Sequence, residues 1–234
     1  MSRAAVGYNE RCFRSGSLRS RYHLNRFFWL QTQLQRLPSS PKRIIELGCY
    51  DGRSLDFLPA QPDYYLGLDA GWEGGLAIGQ KKFADARHID LRLCQKPGDI
   101  PDCPPFDVGI CMETMEHMNY DLAESYLRRL RAMIRGYLFV TVPREHGLIF
   151  PFKYAMKHFF FTPDDATFSW RDIWLLTFGQ TAKVQRKEHK GFDERVLIKI
   201  ISRHFRIEAV TGIFPSHVPR ALSFAVGIVA RSDT

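Results

Sequence analysis

The chain lacks the marks of a membrane span, a zinc knuckle or a disulfide scaffold. No run of eighteen apolar residues occurs, so no segment is long enough to cross a bilayer as a helix. The five cysteines, at 12, 49, 94, 103 and 111, are odd in number and form no C-x-x-C pair. That argues against a zinc ribbon and against a disulfide framework. Three of them fall in or beside apolar, strand-like runs, where a reduced thiol behaves as a small hydrophobe. Low-complexity tracts and internal repeats are missing, which removes solenoids and propellers. The first 24 residues, MSRAAVGYNERCFRSGSLRSRYHL, are rich in arginine and serine but have no apolar centre of the secretory kind. The expectation is a cytoplasmic protein, with at most a peripheral contact to a membrane.

Clustered charge is also missing. Lys and Arg number 33 against 25 Asp and Glu, a net charge of +8, which invites a nucleic-acid reading. The basic residues are scattered through LRRLRAMIR, KVQRKEHK and ISRHFR, as on solvated helix faces. No nucleic-acid partner is therefore expected, and an anionic small substrate stays open. No His, Asp or Glu cluster shows workable metal-ligand spacing, so no metal is expected.

What is present is a globular composition, 45% hydrophobic and 25% charged over 234 residues, enough for one domain with a proper core. Residues 18–37 carry apolar side chains at helical spacing, and Pro38 stops them. Strand and helix patterns then alternate, with strands expected at 43–47, 64–68, 88–93, 106–112, 136–142, 205–211 and 222–230. Short apolar strands alternating with helices imply a parallel sheet covered on both faces. The last two strands are joined by only PSHVPR, too short for a parallel crossover, and must be antiparallel. The expected fold is α/β: a Rossmann-like, doubly wound, seven-stranded sheet, mostly parallel, with an antiparallel C-terminal hairpin strand and an aromatic insertion after strand five. One domain spans 1–234, with a helical cap at 1–39, a ligand-binding core at 40–143, a substrate-side insertion at 144–190 and a C-terminal helix and hairpin at 191–234.

RIIELGCYDGRSLDFLP, residues 43–59, places a carboxylate at the end of a buried strand and two glycines in the turn that follows. In open α/β sheets ligands bind beyond the carboxyl ends of the strands. Gly48 and Gly52 let the backbone approach a ligand, and the next helix start offers free N–H groups. The spacing is Gly-x-x-x-Gly rather than G-x-G-x-x-G, and a pyrophosphate gains nothing from Glu46, whereas an ammonium does. Asp69 ends the second strand, where a carboxylate can accept both hydroxyls of a ribose. A ligand with a ribose, a positive charge and no phosphate is S-adenosylmethionine (SAM).

These segments resemble the class I SAM-dependent methyltransferases, in the small-molecule, type 11-like branch. ELGCYDG is similar to their glycine motif, LGLDA to the ribose-binding second motif, FDVGICMETMEHM to the fourth-strand motif and GYLFVTVPREHG to the fifth. The terminal hairpin matches their sheet. Tyr50 stands where the family has its middle glycine. The resemblance implies that Glu46 and the Gly48, Cys49, Tyr50 and Gly52 backbone hold the methionine end, and that Asp69 holds the ribose. It further implies Cys94 and Gln95 near the adenine, in place of the family's acidic residue and with Asp99 competing, and Met112 and Glu113 beside the sulfonium. CPPF at 103–106 precedes the fourth strand and reads as a turn.

Methyl transfer from a sulfonium is an in-line displacement, so alignment and exclusion of water supply most of the rate. A hydroxyl or carbon acceptor also needs a base near neutral pKa. His117 is the first candidate, followed by His189 and His146. The insertion should wall the acceptor pocket, with Lys153, Lys157 and Arg171 available to an anionic group. The expected activity is methylation of a small molecule or a cell-envelope glycan or lipid intermediate, at oxygen in preference to nitrogen. An RNA methyltransferase, a nicotinamide-dependent oxidoreductase and a non-catalytic nucleotide-binding protein are the alternatives.

Overall fold

The computed structural model describes residues 8–13, 18–160, 168–187, 189–215 and 218–233. Seven strands form one sheet: β1 (Arg43–Leu47), β2 (Tyr64–Asp69), β3 (Ile89–Leu93), β4 (Phe106–Met112), β5 (Ile134–Pro143), β6 (Arg206–Phe214) and β7 (Ala225–Arg231). Their order across the sheet is β3-β2-β1-β4-β5-β7-β6. β1 pairs in parallel with both β2 and β4, and β4 with β5, while β7 runs antiparallel to β5 and to β6. The doubly wound sheet with a single antiparallel strand is thus the observed one. Strand order reverses between β1 and β4, so their carboxyl ends, with that of β2, frame one crevice.

Alternation along β1 divides the core. Ile45 and Leu47 join a cluster with α4 (Tyr120–Met133) and α7 (Glu194–Ile201) on one face. Ile44 joins α2 (Leu18–Gln35) and α3 (Gly75–Lys82) on the other. Helix α4 starts where Asn119 accepts the N–H of Leu122 at 2.8 Å, and its Leu127 and Leu130 are fully buried. Each such side chain is worth about 1.5–3 kcal/mol in burial. Trp29 of α2 lies across β7 at Gly227, where an added Cβ would stand 2.4 Å from the indole.

One expected helix differs. After the glycine turn the chain forms a 3-10 segment, Arg53–Phe57, instead of an α-helix. Pro59 forces Leu58 into extended backbone, with φ −69° and ψ 136°, leaving too few residues for an α-turn to propagate. The segment after β5 holds α5 (Ile149–Phe160) and α6 (Trp170–Thr177), which share a small core of Phe150, Leu176 and Val184. A short α1 (Tyr8–Phe13) precedes α2. Among the described residues no helix is long and apolar enough to cross a membrane. The five thiols are free, and all but Cys103 are buried.

Candidate active site

The turn after β1 is held open by backbone conformation. Gly48, Tyr50 and Gly52 all have left-handed φ, at 79°, 51° and 75°. Tyr50 adopts the conformation that a glycine would take for free, which costs of order 1–3 kcal/mol. Its ring packs over Gly75, where a Cβ would come within 2.2 Å of it, and lies 6.3 Å from the Trp72 ring. The N–H groups of Gly48 and Cys49 both donate to the carbonyl of Leu68, tying the turn to β2.

Asp69 joins the two loops at this edge. One carboxylate oxygen accepts the Tyr50 N–H at 2.9 Å and the other the Gly71 N–H at 2.8 Å. Asp51 is buried beside it and accepts from Asn9 of α1 at 2.7 Å and from the Arg53 N–H. Glu46 lies beneath the turn, 2% exposed, and accepts hydrogen bonds from the Ser54 and Tyr65 hydroxyls. Burial pushes its carboxyl up to about 7, against the opposing pull of those two hydrogen bonds and of Arg26.

The loop after β4 is built differently. Glu113, at the strand end, has φ 49° and one buried oxygen that accepts no hydrogen bond. Glu116, in the Met115–His117 turn, is 1% exposed, and neither carboxylate oxygen accepts a hydrogen bond. Burial raises both carboxyls, Glu116 well above the ordinary range, and the charge of Glu113 adds to the effect on Glu116. Arg26 of α2 is the cation whose field reaches Glu46, Glu113 and Glu116 alike. Tyr22, one helical turn earlier, is in the field of Glu113, Glu145 and Glu116, and burial together with their charges holds its phenol well above 10.

The insertion reaches back to this loop through Arg186, which donates to the carbonyls of Glu116 (3.3 Å) and Met118 (2.5 Å) and lies over the Tyr120 ring. That clamp brings His189 against His117, with ring centroids 4.4 Å apart at 72°. The donor atoms of Glu116, His117 and His189 lie within 4.8 Å of one another.

The remaining sequence-derived candidates separate by side-chain direction. Cys49 and Met112 point into the core on the α2 face, so only their backbone borders the crevice. Cys94 points into the opposite core cluster, its thiol facing the Tyr126 hydroxyl. Gln95 is exposed, and Asp99 accepts its N–H and that of Lys96, which makes Asp99 the cap of a short turn. His146 is not brought to His117 and His189. It is 2% exposed, 2.6 Å from Glu194 and 3.5 Å from Asp193, at the start of α7. Lys153 is taken up by Glu145 at 2.7 Å and by the Arg144 carbonyl, Arg171 is exposed, and the Lys157 side chain lies outside the described residues. Sequence reasoning passed over Tyr22, Arg26 and Glu116. The signal for Glu116 was the spacing E-x-x-E-H at 113–117, which a turn after a strand can fold onto one side.

No protein-family model and no curated protein matches the chain. Solved structures do. One is a SAM-dependent methyltransferase from Clostridium acetobutylicum ATCC 824, with TM-score 0.61 and 11% identity over 97% of this chain and 96% of that one. Another is magnesium protoporphyrin IX methyltransferase from Synechocystis PCC 6803 with bound S-adenosylhomocysteine (SAH), with TM-score 0.60 and 15% identity over 96% and 92%. A third is the methyltransferase domain of the bacterial protein CtHen1, with TM-score 0.60 and 14% identity over 90% and 99%. The fold is that of SAM-dependent methyltransferases. At this identity the likeness carries the architecture alone. Whether a methyltransferase's cofactor fits rests on the residues at the crevice. They supply carboxyl groups from Glu46, Asp69 and Glu113, with Arg26 the cation whose field reaches both glutamates and Lys153 acting on Glu113 alone, which suits a cationic ligand and opposes a pyrophosphate. Each Asp69 oxygen has one N–H donor and keeps a second lone pair for a hydroxyl.

Proposed function

We propose that the chain is a SAM-dependent methyltransferase acting on a small molecule or on a cell-envelope glycan or lipid intermediate, with oxygen as the favoured methyl acceptor. The observation that carries this reading is Asp69, a buried carboxylate that ties the glycine turn to the loop after β2 and keeps a second lone pair on each oxygen. Asp69 would take the ribose hydroxyls, and the Gly48–Gly52 backbone and Glu46 the methionine end. Cys94 and Gln95 would border the adenine through their backbone. When bound, SAM supplies an electrophilic methyl on a sulfonium. The chain's own residues align the acceptor and keep water out.

The acceptor would approach between α2, the end of β4 and the insertion, where Tyr22, Arg26 and Glu113 face one another. His117, half exposed, and His189 flank the place at which a hydroxyl would lose its proton. An acceptor with an apolar part, lipid-linked or otherwise, is supported by helix α6. Its Trp170 and Trp174, followed by Phe178, recur every fourth residue and are 81%, 60% and 60% exposed. Calorimetry with SAH on the purified chain tests the reading. One molecule should bind per chain, and Asp69→Ala should weaken binding about 100-fold, the loss of a charge-assisted pair of hydrogen bonds. Tighter binding of NAD than of SAH, or an unaffected Asp69→Ala variant, would overturn it.

A further inference from the structure

We propose that Glu116, His117 and His189 bind a first-row divalent cation at the acceptor side of the crevice, and that this cation holds the oxygen of the acceptor that receives the methyl group. The inference rests on the methyltransferase reading for its second half only; the ion site stands on the geometry alone.

Three observations converge. The donor atoms of these residues lie within 4.8 Å of one another, close enough to share one ion. Glu116 is 1% exposed, and neither of its oxygens accepts a hydrogen bond; the His117 ring nitrogen stands 3.9 Å off, too far for one. A buried carboxylate left this way costs several kcal/mol unless something positive joins it. A second acid, the half-buried Glu113 with one oxygen buried, acts on the same place through its charge. Two imidazoles with carboxylates suit Mn2+, Fe2+, Co2+ or Zn2+ better than Ca2+ or Mg2+, which favour all-oxygen shells.

The other buried cluster of this kind makes the contrast. His146, Asp193 and Glu194 also lie within reach of one ion. There the charge is already matched, since Arg195 pairs with Asp193 at 2.7 Å and Arg144 with Glu194 at 3.1 Å. Thr181 donates to Asp193 as well, at 2.6 Å. A dication in that cluster would meet two guanidinium groups. At Glu116, Arg186 is turned to backbone carbonyls instead, and Arg26 contributes through its field.

The two sides of the loop bring different chain segments together. Glu116 and His117 come from the turn after β4, and His189 from the end of the insertion, docked by Arg186. An ion there would fasten the insertion over the crevice. It would also act as a Lewis acid on an acceptor hydroxyl, lowering its pKa so that the proton is lost to solvent water; the bound oxygen would then form its bond to the methyl as the sulfonium S–CH3 bond breaks and SAH leaves. His117 and His189 would then be ligands rather than bases.

The test uses the full chain freed of metal by chelation, with Mn2+ added and free Mn2+ followed by electron paramagnetic resonance, alongside SAH calorimetry on the same samples. One Mn2+ should bind per chain. Glu116→Gln and His189→Ala should each weaken it at least tenfold, leave SAH affinity within about threefold, and keep the wild-type circular dichroism. If one variant fails to fold, wild-type stoichiometry and the other variant decide. Absence of stoichiometric Mn2+ binding by the wild type, or binding undiminished in the folded variants, overturns the ion site. SAH binding without Mn2+ would sink this inference and spare the methyltransferase reading, whereas Mn2+ binding without SAH would do the reverse.

Discussion

Two loops leave the same edge of the sheet from neighbouring strands, and they treat their carboxylates in opposite ways. Around the turn after β1, Glu46 of β1 accepts from Ser54 and Tyr65, Asp51 from Asn9 and Arg53, and Asp69 at the end of β2 from two backbone N–H groups. In the turn after β4, Glu116 and one oxygen of Glu113 are just as deeply buried and accept nothing. The first loop is complete before a ligand arrives, as a preorganised binding site should be. The second carries a cost that the fold does not relieve by itself. Buried polar groups left without partners persist where they serve a function.

If partners rather than depth decide the matter, Glu194 gives the strongest check. It is fully buried like Glu116, but paired with Arg144 and placed against His146. Glu194→Ala should cost about 3–5 kcal/mol, the range for stranding the rest of a buried ion cluster, read from urea unfolding. A loss below about 1 kcal/mol would break the comparison.

A pH experiment probes the first loop. The Glu46 carboxyl titrates near 7 in the folded chain against 4.5 for its ordinary value, so the folded state keeps the proton longer than the unfolded one. Its stabilising contribution is complete below pH 4.5, declines as the pH rises from there to 7, and is lost above. Between pH 5 and 8 the wild type should lose about 2.5 kcal/mol relative to Glu46→Gln, which cannot ionise. Equal pH dependence of the two would show that Glu46 ionises normally in the folded state.

The smallest effect has the opposite sign. Glu116→Met keeps the side-chain length and removes two unpartnered buried oxygens. It should stabilise the apoprotein by about 1 kcal/mol, or about 2–4 °C in Tm for a chain this long, while abolishing Mn2+ binding. A fall in Tm would mean that Glu116 already has a stabilising role without an ion.

Periodicity and turn chemistry made the sheet legible. Short apolar runs such as RIIEL and YLFVTV fit only buried strands, and the short connection through PSHVPR, ten residues from the end of β6 to the start of β7, fixed the sense of that pair. Asp69 and the left-handed glycines were legible because their roles depend on the backbone within a few residues. Met112 and Cys94 were harder, since a one-residue change in where a strand ends turns a side chain from crevice to core. His146 reads like a loop histidine, and its partners Asp193 and Glu194 lie nearly fifty residues on, across the insertion. Arg26 and Tyr22 look like ordinary residues of a polar helix face. Only docking of α2 against the sheet shows them facing the acids.

The position of β7 bears on how the chain is made. It is the last of the seven strands to leave the ribosome, yet it lies between β5 and β6 with six consecutive residues buried. Until it arrives, β5 exposes an unpaired edge next to the crevice, and β6 has no neighbour at all. An open edge of this kind is a template for pairing with other chains. During synthesis β6 therefore has no strand to pair with until β7 emerges and joins it to β5.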